Sequence, residues 1–134
     1  MVNYFNRSSL GEIKSALLNN RIAIVLGSRQ VGKTTIVKKI LETLTSEHKG
    51  QSLYLDLEIV ANLKYFDSLD TFNDYLTLMN IDRSATLFIG IDEFYYLKNA
   101  TKFFKIIADH YPLIHIIASG SSALEMKKHL DESL

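Results

Sequence analysis

Two short stretches of the chain contain the residue types that phosphate chemistry needs. GSRQVGKTT occupies positions 27–35, and IDEF occupies positions 91–94. The first stretch fits G-x-x-x-x-G-K-[ST], the Walker A pattern. Such a loop wraps around a phosphate with its backbone N–H groups pointing inward, and the following helix adds a partial positive charge at its N-terminus. We therefore predict a nucleotide phosphate site here, rather than a glycine-rich turn with a surface lysine.

Each position of this loop has an expected part in the site. The Lys33 ammonium would reach the β- and γ-phosphates, and the Thr34 hydroxyl would ligate Mg²⁺. The Arg29 side chain could contact a γ-phosphate or a neighbouring subunit, or it could be a solvent-exposed or ion-paired arginine. The residues predicted to contact the nucleotide are Gly27, Ser28, Arg29, Gln30, Val31, Gly32, Lys33, Thr34 and Thr35.

The second stretch resembles the Walker B pattern, an apolar strand that ends in acidic residues. Asp92 would hold Mg²⁺ through its water shell, and Glu93 would polarise an attacking water as a general base. Two adjacent acids could instead form a solvated turn or lie at a helix N-terminus. Nucleoside kinases need no water-activating acid, and the sequence has no N-K-x-D segment for reading guanine. The pattern therefore favours hydrolysis of ATP.

Further polar residues follow two other apolar runs. If the strand before SGSS (119–122) lies between the strands that precede the two motifs, Ser119 or Ser121 would face the γ-phosphate. These serines could also only cap the last helix. Ser119 joins Lys33 and Glu93 as a predicted catalytic residue. Asp56 and Glu58 could approach the metal side of the site, although such residues are more often structural.

Helices and strands alternate along the chain. Solid apolar runs favour strands buried on both faces, and apolar residues at helical spacing favour covering helices. This α/β pattern predicts a parallel sheet whose ligands lie beyond the carboxyl ends of its strands. The expected strands are 22–26, 52–58, 86–92 and 113–118. The expected helices are 9–19, one across 36–44 ended by Lys49-Gly50, one across 69–79, one capped by Asn99 and closed by Pro112, and a last one from Ser122.

Composition narrows the class of protein. The 134 residues suit one domain, 1–134, and 47% hydrophobic with 22% charged residues is typical of a globular protein. No apolar run approaches the ~18 residues that span a membrane, so no membrane partner is expected. The chain has no cysteine, and we expect a cytoplasmic protein. Fifteen basic and fifteen acidic residues argue against a nucleic-acid partner without excluding a local basic patch.

The motifs together resemble a known family. The chain is similar to the prokaryotic AAA-type ATPase domains that are usually followed by a C-terminal, nuclease-like domain of unknown function. The Arg-Gln pair within the first motif is the most specific part of this resemblance. The segments that carry it are Arg7, GSRQVGKTT, YLDLE (54–58), IGIDEF (89–94) and IIASGSS (116–122).

The resemblance implies a three-layer P-loop NTPase core with strand order 5-1-4-3-2, and ATP and Mg²⁺ as ligands. Tyr95 stands where the family commonly has glutamine, which weakens any nucleotide-sensing role for that position. Family members also continue beyond HLDESL with an arginine-containing segment and a fifth strand. We therefore expect a C-terminally truncated domain that lacks the fifth strand and depends on another subunit or protein for an arginine.

Three functions stay open from the sequence. The first is an ATPase that hydrolyses ATP slowly to drive or regulate a partner interaction. The second is a nucleotide-dependent interaction module that does not hydrolyse ATP. The third is an ATPase that processes nucleic acid, which the neutral charge makes the weakest of the three.

Overall fold

The computed structural model describes residues 2–5, 10–27 and 32–120. Five strands, four α-helices and two short 3₁₀ segments alternate along this part of the chain. The strands are β1 (Val2–Phe5), β2 (Ile22–Leu26), β3 (Gln51–Asp56), β4 (Leu87–Asp92) and β5 (Ile114–Gly120). The helices are α1 (Leu10–Asn20), α2 (Lys33–His48), α3 (Leu69–Leu78) and α4 (Ala100–His110), and the 3₁₀ segments are Val60–Phe66 and Phe94–Tyr96.

The strands form one parallel sheet in the order β1-β2-β5-β4-β3. The predicted α/β class is therefore confirmed. The four predicted strands also take the order 1-4-3-2 within the family arrangement 5-1-4-3-2. Strand β1, four residues long and paired with β2, has no counterpart among the predicted strands. It occupies the edge of the sheet where the family order has its fifth strand.

The sheet separates two apolar cores, because successive side chains along a strand point to opposite faces. One core includes Phe72 of α3 and Phe104 of α4 with Ile89 and Ile91 of β4. The other includes Leu17 of α1 and Val37 of α2 with Phe88 of β4. All six residues of β4 are buried, as expected for a central strand covered by helices on both sides.

Two helix ends lie where the sequence predicts them, but different interactions form them. Asn99 precedes α4, but its side chain makes no capping hydrogen bond and its backbone is left-handed, with φ of 53°. Lys49 itself takes the left-handed conformation that ends α2, with φ of 50°, so the stop does not rely on Gly50. In contrast, α3 begins with a reciprocal capping box between Ser68 and Thr71 that the sequence analysis missed.

The predicted helix from Ser122 and Ser9, the first residue of the helix predicted across 9–19, lie outside the described residues. Within residues 2–5, 10–27 and 32–120, no helix is long and apolar enough to cross a membrane.

Candidate functional site

The candidate site lies at the carboxyl edge of the sheet, where β2, β4 and β5 end. Gly32 precedes α2 and has a φ of 136°, a backbone conformation that residues other than glycine rarely adopt. This turn starts the helix at Lys33 and places its first turn at that edge. The second invariant glycine of the Walker A pattern is therefore explained by backbone geometry.

A glycine in β4 brings α2 close to the sheet. A Cβ atom at Gly90 would lie 2.7 Å from Leu41 Cδ1 and 2.7 Å from Val37 Cγ1 of the helix. Only a residue without a side chain allows this approach without a shift of these two side chains or of α2. The close packing brings Thr34, in the first turn of α2, within hydrogen-bond distance of the end of β4.

The alternation of side chains places several polar groups on the same face of the sheet. Phe88 of β4 and Ile117 of β5 pack in the core beneath α2. Ser119 lies two residues beyond Ile117 and Asp92 lies four residues beyond Phe88, so both side chains face the same helix. Ile91 pairs with Ala118, so the next position along brings Asp92 beside Ser119.

The Asp92 carboxylate accepts hydrogen bonds from three hydroxyl groups. Thr34 Oγ1 donates to Asp92 Oδ2 at 2.7 Å, and the Tyr54 hydroxyl donates to the same oxygen. Ser119 Oγ donates to the other oxygen, Oδ1. Asp92 is only 3% exposed, and hydrogen bonds of this kind are what allow a carboxylate to stay buried.

The Lys33 ammonium lies at the same edge and is also buried, with 4% of the residue exposed. It donates to the carbonyl oxygens of Gly120, the last residue of β5, at 2.5 Å and of Gly27, which follows β2, at 3.2 Å. It also lies 3.9 Å from Glu93 Oε1. These acceptors hold the positive charge where β2 and β5 end, next to the start of α2.

Glu93 follows β4 in a left-handed backbone conformation, with φ of 57°. Non-glycine residues are uncommon there, and such residues often occur at functional sites. The turn directs the chain from β4 into the 3₁₀ segment of Phe94, which is buried, while Glu93 itself is half-buried. Its side chain thus stays beside Lys33 at the edge of the site.

The burial of polar groups is concentrated at this edge. In the part of the chain that the structure describes, three polar or charged side chains other than tyrosine are buried, namely Lys33, Asp92 and Ser119. Burial of charges lowers stability unless they are compensated. All three lie at one edge of the sheet, which indicates a functional site rather than isolated polar residues in the core.

Tyr54 is a member of the site that the sequence analysis missed. It pairs with Gly90 in the β3–β4 register, and its side chain reaches diagonally to Asp92, two residues further along β4. Burial, and then the hydrogen bond to Asp92, raise the pKa of the Tyr54 hydroxyl well above its ordinary value, so the group stays a donor at neutral pH. The alternation in YLDLE gives its face, but the register cannot be read from sequence.

The remaining predicted site residues have different outcomes. Ser28, Arg29, Gln30 and Val31 lie outside the described residues, as does Ser121. Gly27 and Gly32 lie beside Lys33 as described above, and Thr35 is exposed on the first turn of α2. Asp56 does not join the cluster, because its Oδ1 accepts from the backbone N–H of Glu58 at 2.9 Å in the turn after β3.

The oxygen donors at this edge fit a hard divalent cation. A hydroxyl has one proton and two lone pairs, so Thr34 can donate its proton to Asp92 and keep lone pairs for a metal. Mg²⁺ usually takes one or two protein carboxylates and fills its remaining positions with water and phosphate oxygens. No group of three or more acidic, histidine or cysteine ligands occurs among the described residues, so the fit depends on Thr34 and Asp92.

Comparison with protein-family models gives a match that covers most of the chain. A family model described as an AAA domain matches residues 19–134, which includes both motifs. Neither the curated proteins nor the solved structures compared with the chain include a match.

Proposed function

The chain belongs to the AAA domain family, and on that premise we propose that it binds ATP with Mg²⁺ and hydrolyses the nucleotide slowly. Within the family we assign it to the group whose members usually carry a C-terminal nuclease-like domain. In this proposal hydrolysis drives or regulates an interaction with a partner.

The phosphate-binding part of the proposal rests on Lys33 and the loop before it. The ammonium, which now donates to the carbonyls of Gly27 and Gly120, would turn to the β- and γ-phosphates. The N-terminal amides of α2 and the backbone of positions 27–32 would supply the remaining donors. The exchange of carbonyl acceptors for phosphate oxygens keeps the buried charge compensated throughout.

The hydrolytic part rests on Thr34, Asp92, Glu93 and Ser119. Thr34 and Asp92 would hold Mg²⁺, which when bound neutralises charge on the phosphate oxygens. Glu93 would accept a proton from the attacking water, and its left-handed turn keeps the carboxylate beside Lys33. Ser119 would fix the Asp92 carboxylate through its hydrogen bond to Oδ1.

The positions of the arginines support slow turnover by the isolated chain. Both arginines in the described residues precede strands and lie away from the carboxyl edge. Arg21 donates to the carbonyls of Tyr111 and Ile114, and Arg83 donates to Asn73 and Thr77. An arginine supplied by another subunit can raise the rate of phosphoryl transfer by about 10³–10⁵. We therefore expect a partner to contribute one.

One observation carries the proposal: the buried polar side chains Lys33, Asp92 and Ser119 meet where the two motif-bearing strands end. An apolar protein core does not need these groups. Lys33 supplies the positive charge that a phosphate site needs. Asp92 and Ser119 supply oxygen atoms of the kind that a cation site needs.

The binding step can be tested with a fluorescent ATP analogue in Mg²⁺ buffer. The natural chain should bind it, and Lys33→Ala should lose this binding. Lys39→Ala is the matched control, because Lys39 is an exposed lysine of the same helix and its substitution should leave affinity unchanged. Equal affinity of Lys33→Ala and the natural chain would contradict the phosphate assignment.

The hydrolytic step can be tested separately by phosphate release. Glu93→Gln should keep ATP affinity and lose turnover, because the amide cannot accept the proton of the attacking water. If the natural chain binds ATP but shows no turnover above that of Glu93→Gln, the chain acts as a nucleotide-dependent interaction module instead.

A further inference from the structure

We propose that Tyr54 is a latch on the metal-binding aspartate: its hydroxyl occupies a lone pair of Asp92 Oδ2 in the nucleotide-free chain and must leave before Mg²⁺ or its water can use that oxygen. The inference rests on the proposed function and concerns a residue that neither motif contains. It follows from the acceptor capacity of one carboxylate.

The two oxygens of Asp92 are used unequally. A carboxylate offers about four lone-pair sites, two on each oxygen. Asp92 Oδ2 accepts from both Thr34 and Tyr54, whereas Oδ1 accepts from Ser119. Both lone pairs of Oδ2, the oxygen that accepts from the predicted metal ligand Thr34, are therefore already occupied. A metal-bound water could donate to that oxygen only after one of the two hydroxyls leaves.

Tyr54 is the hydroxyl that can leave. Thr34 has a short side chain on the first turn of α2, whose position is fixed by the packing of the helix against Gly90. Tyr54 instead reaches Asp92 from the edge strand β3, and its residue is half-buried. A rotation of its side chain would carry the hydroxyl from Asp92 toward solvent without movement of the backbone.

A second contact holds the latch in place. Lys38, one helical turn after Thr34, has its ammonium 4.7 Å from the centroid of the Tyr54 ring. This cation–π contact holds the ring against the face of α2 that also carries Thr34. Lys38 is exposed, so the contact can be broken at little cost when the ring moves.

The expected consequence has two parts with opposite signs. Loss of the Tyr54 hydroxyl removes a hydrogen bond to a charged group, so the nucleotide-free chain should become less stable. The same loss frees a lone pair of Asp92, so Mg²⁺ should bind more tightly. A residue that only oriented Asp92 for the metal would weaken Mg²⁺ binding when removed, and a bystander would change neither property.

The test is a Mg²⁺ titration of the natural chain and of Tyr54→Phe, each saturated with a fluorescent ATP analogue. We expect the Mg²⁺ midpoint of Tyr54→Phe to fall about tenfold, which corresponds to one hydrogen bond to a charged group. Nucleotide affinity in EDTA should stay unchanged, and the Tm of the nucleotide-free variant should fall.

Two further variants sharpen this result. Lys38→Met removes the ammonium above the ring and should lower the Mg²⁺ midpoint about two- to fivefold. Tyr111→Phe is the matched control, because its hydroxyl donates to Asn73 at 3.2 Å, far from Asp92. Its Mg²⁺ midpoint should equal that of the natural chain.

The outcomes separate this inference from the proposed function. A Mg²⁺ midpoint that is unchanged or higher in Tyr54→Phe overturns the latch, while the natural chain still binds nucleotide. If the natural chain itself binds no nucleotide, the proposed function and the latch both fail.

Discussion

Two cations flank the same strand, and they are held in different ways. Arg21 lies immediately before β2, and Lys33 lies after it at the start of α2. Both donate to backbone carbonyls. Arg21 uses Nε and Nη2 to reach Ile114 O at 3.0 and 2.7 Å, and Nη2 also reaches Tyr111 O. Lys33 is a single ammonium that shares its protons between Gly27 and Gly120.

The difference shows that the two edges of one sheet can have different roles. The contacts at the amino edge are fixed, whereas Lys33 at the carboxyl edge can exchange its acceptors. The planar guanidinium of Arg21 presents its donors in a fixed geometry. It fixes the turn between α4 and β5 because it donates to the carbonyls of Tyr111 and Ile114, on either side of that turn. The ammonium is a compact charge on a flexible stem, which can exchange one set of acceptors for another. We infer that the amino edge holds the fold together, whereas the carboxyl edge is poised to accept a ligand.

The largest expected effect on stability comes from Arg21→Ala. The substitution removes the donors to Tyr111 O and Ile114 O, and we expect the free energy of unfolding to fall by about 1.5–3 kcal/mol. Affinity for the ATP analogue should stay unchanged at temperatures where the variant is folded. Chemical denaturation and a binding titration check the two halves of this prediction, and a loss of nucleotide affinity would contradict the division between the two edges.

A slightly smaller effect is expected from Gly90→Ala at the other edge. The added Cβ would lie 2.7 Å from two side chains of α2, and such overpacking typically costs about 1–3 kcal/mol. A shift of α2 away from β4 that relieves this contact would lengthen the Thr34–Asp92 hydrogen bond, so we expect Mg²⁺-dependent nucleotide affinity to fall.

A second glycine provides the control for that substitution. A Cβ at Gly11, in the first turn of α1, would meet no atom within 4 Å. Gly11→Ala should leave nucleotide affinity unchanged and raise stability by up to about 1 kcal/mol. Equal behaviour of the two alanine variants in both assays would show that the close approach of α2 to β4 is unimportant.

The smallest expected effect is a dependence of stability on pH through His115 of β5. Burial lowers the pKa of His115, and the positive charges of Arg21 and His48 lower it further, against the opposing effect of the Leu17 carbonyl at 3.0 Å. The unfolded chain therefore binds a proton at a higher pH than the folded chain does. Stability should decrease as the pH falls through the unfolded pKa of about 6.5 toward the lower folded value.

Urea denaturation at pH 7.5 and 5.5 measures this effect. His115→Asn keeps a donor for the Leu17 carbonyl and removes the titration, so it should lose less stability between the two pH values than the natural chain does. An equal loss in both chains would assign the acid sensitivity to other groups.

The sequence predicts the parts of this molecule that depend on local pattern. The apolar runs give strands β2 to β5 and their parallel arrangement, and the Walker patterns predict that Lys33, Thr34 and Asp92 lie in one site. These signals are strong because each element carries its own periodicity. The condition stated for Ser119 is met, because β5 lies between β2 and β4.

The features that the sequence does not reveal depend on pairing across the sheet or on backbone conformation. Strand β1 is a four-residue segment, VNYF, without a continuous apolar run in its sequence that would distinguish it from a loop. The contact of Tyr54 with Asp92 depends on the β3–β4 register, which local pattern leaves open. The left-handed backbone at Glu93 and Asn99, with φ of 57° and 53°, has no signal in the local pattern of apolar and polar residues.

Thermal unfolding with and without Mg²⁺ and ATP tests the central claim most directly, because it compares the exchangeable edge with the fixed edge in one assay. At ATP concentrations about 100 times Kd, the natural chain should gain about 2.7 kcal/mol of stability. Arg21→Lys, which retains a cation at the amino edge, should start from a lower Tm and keep this gain. Lys33→Ala should show no gain at all. A gain in Lys33→Ala equal to that of the natural chain would contradict the assignment of the phosphate site.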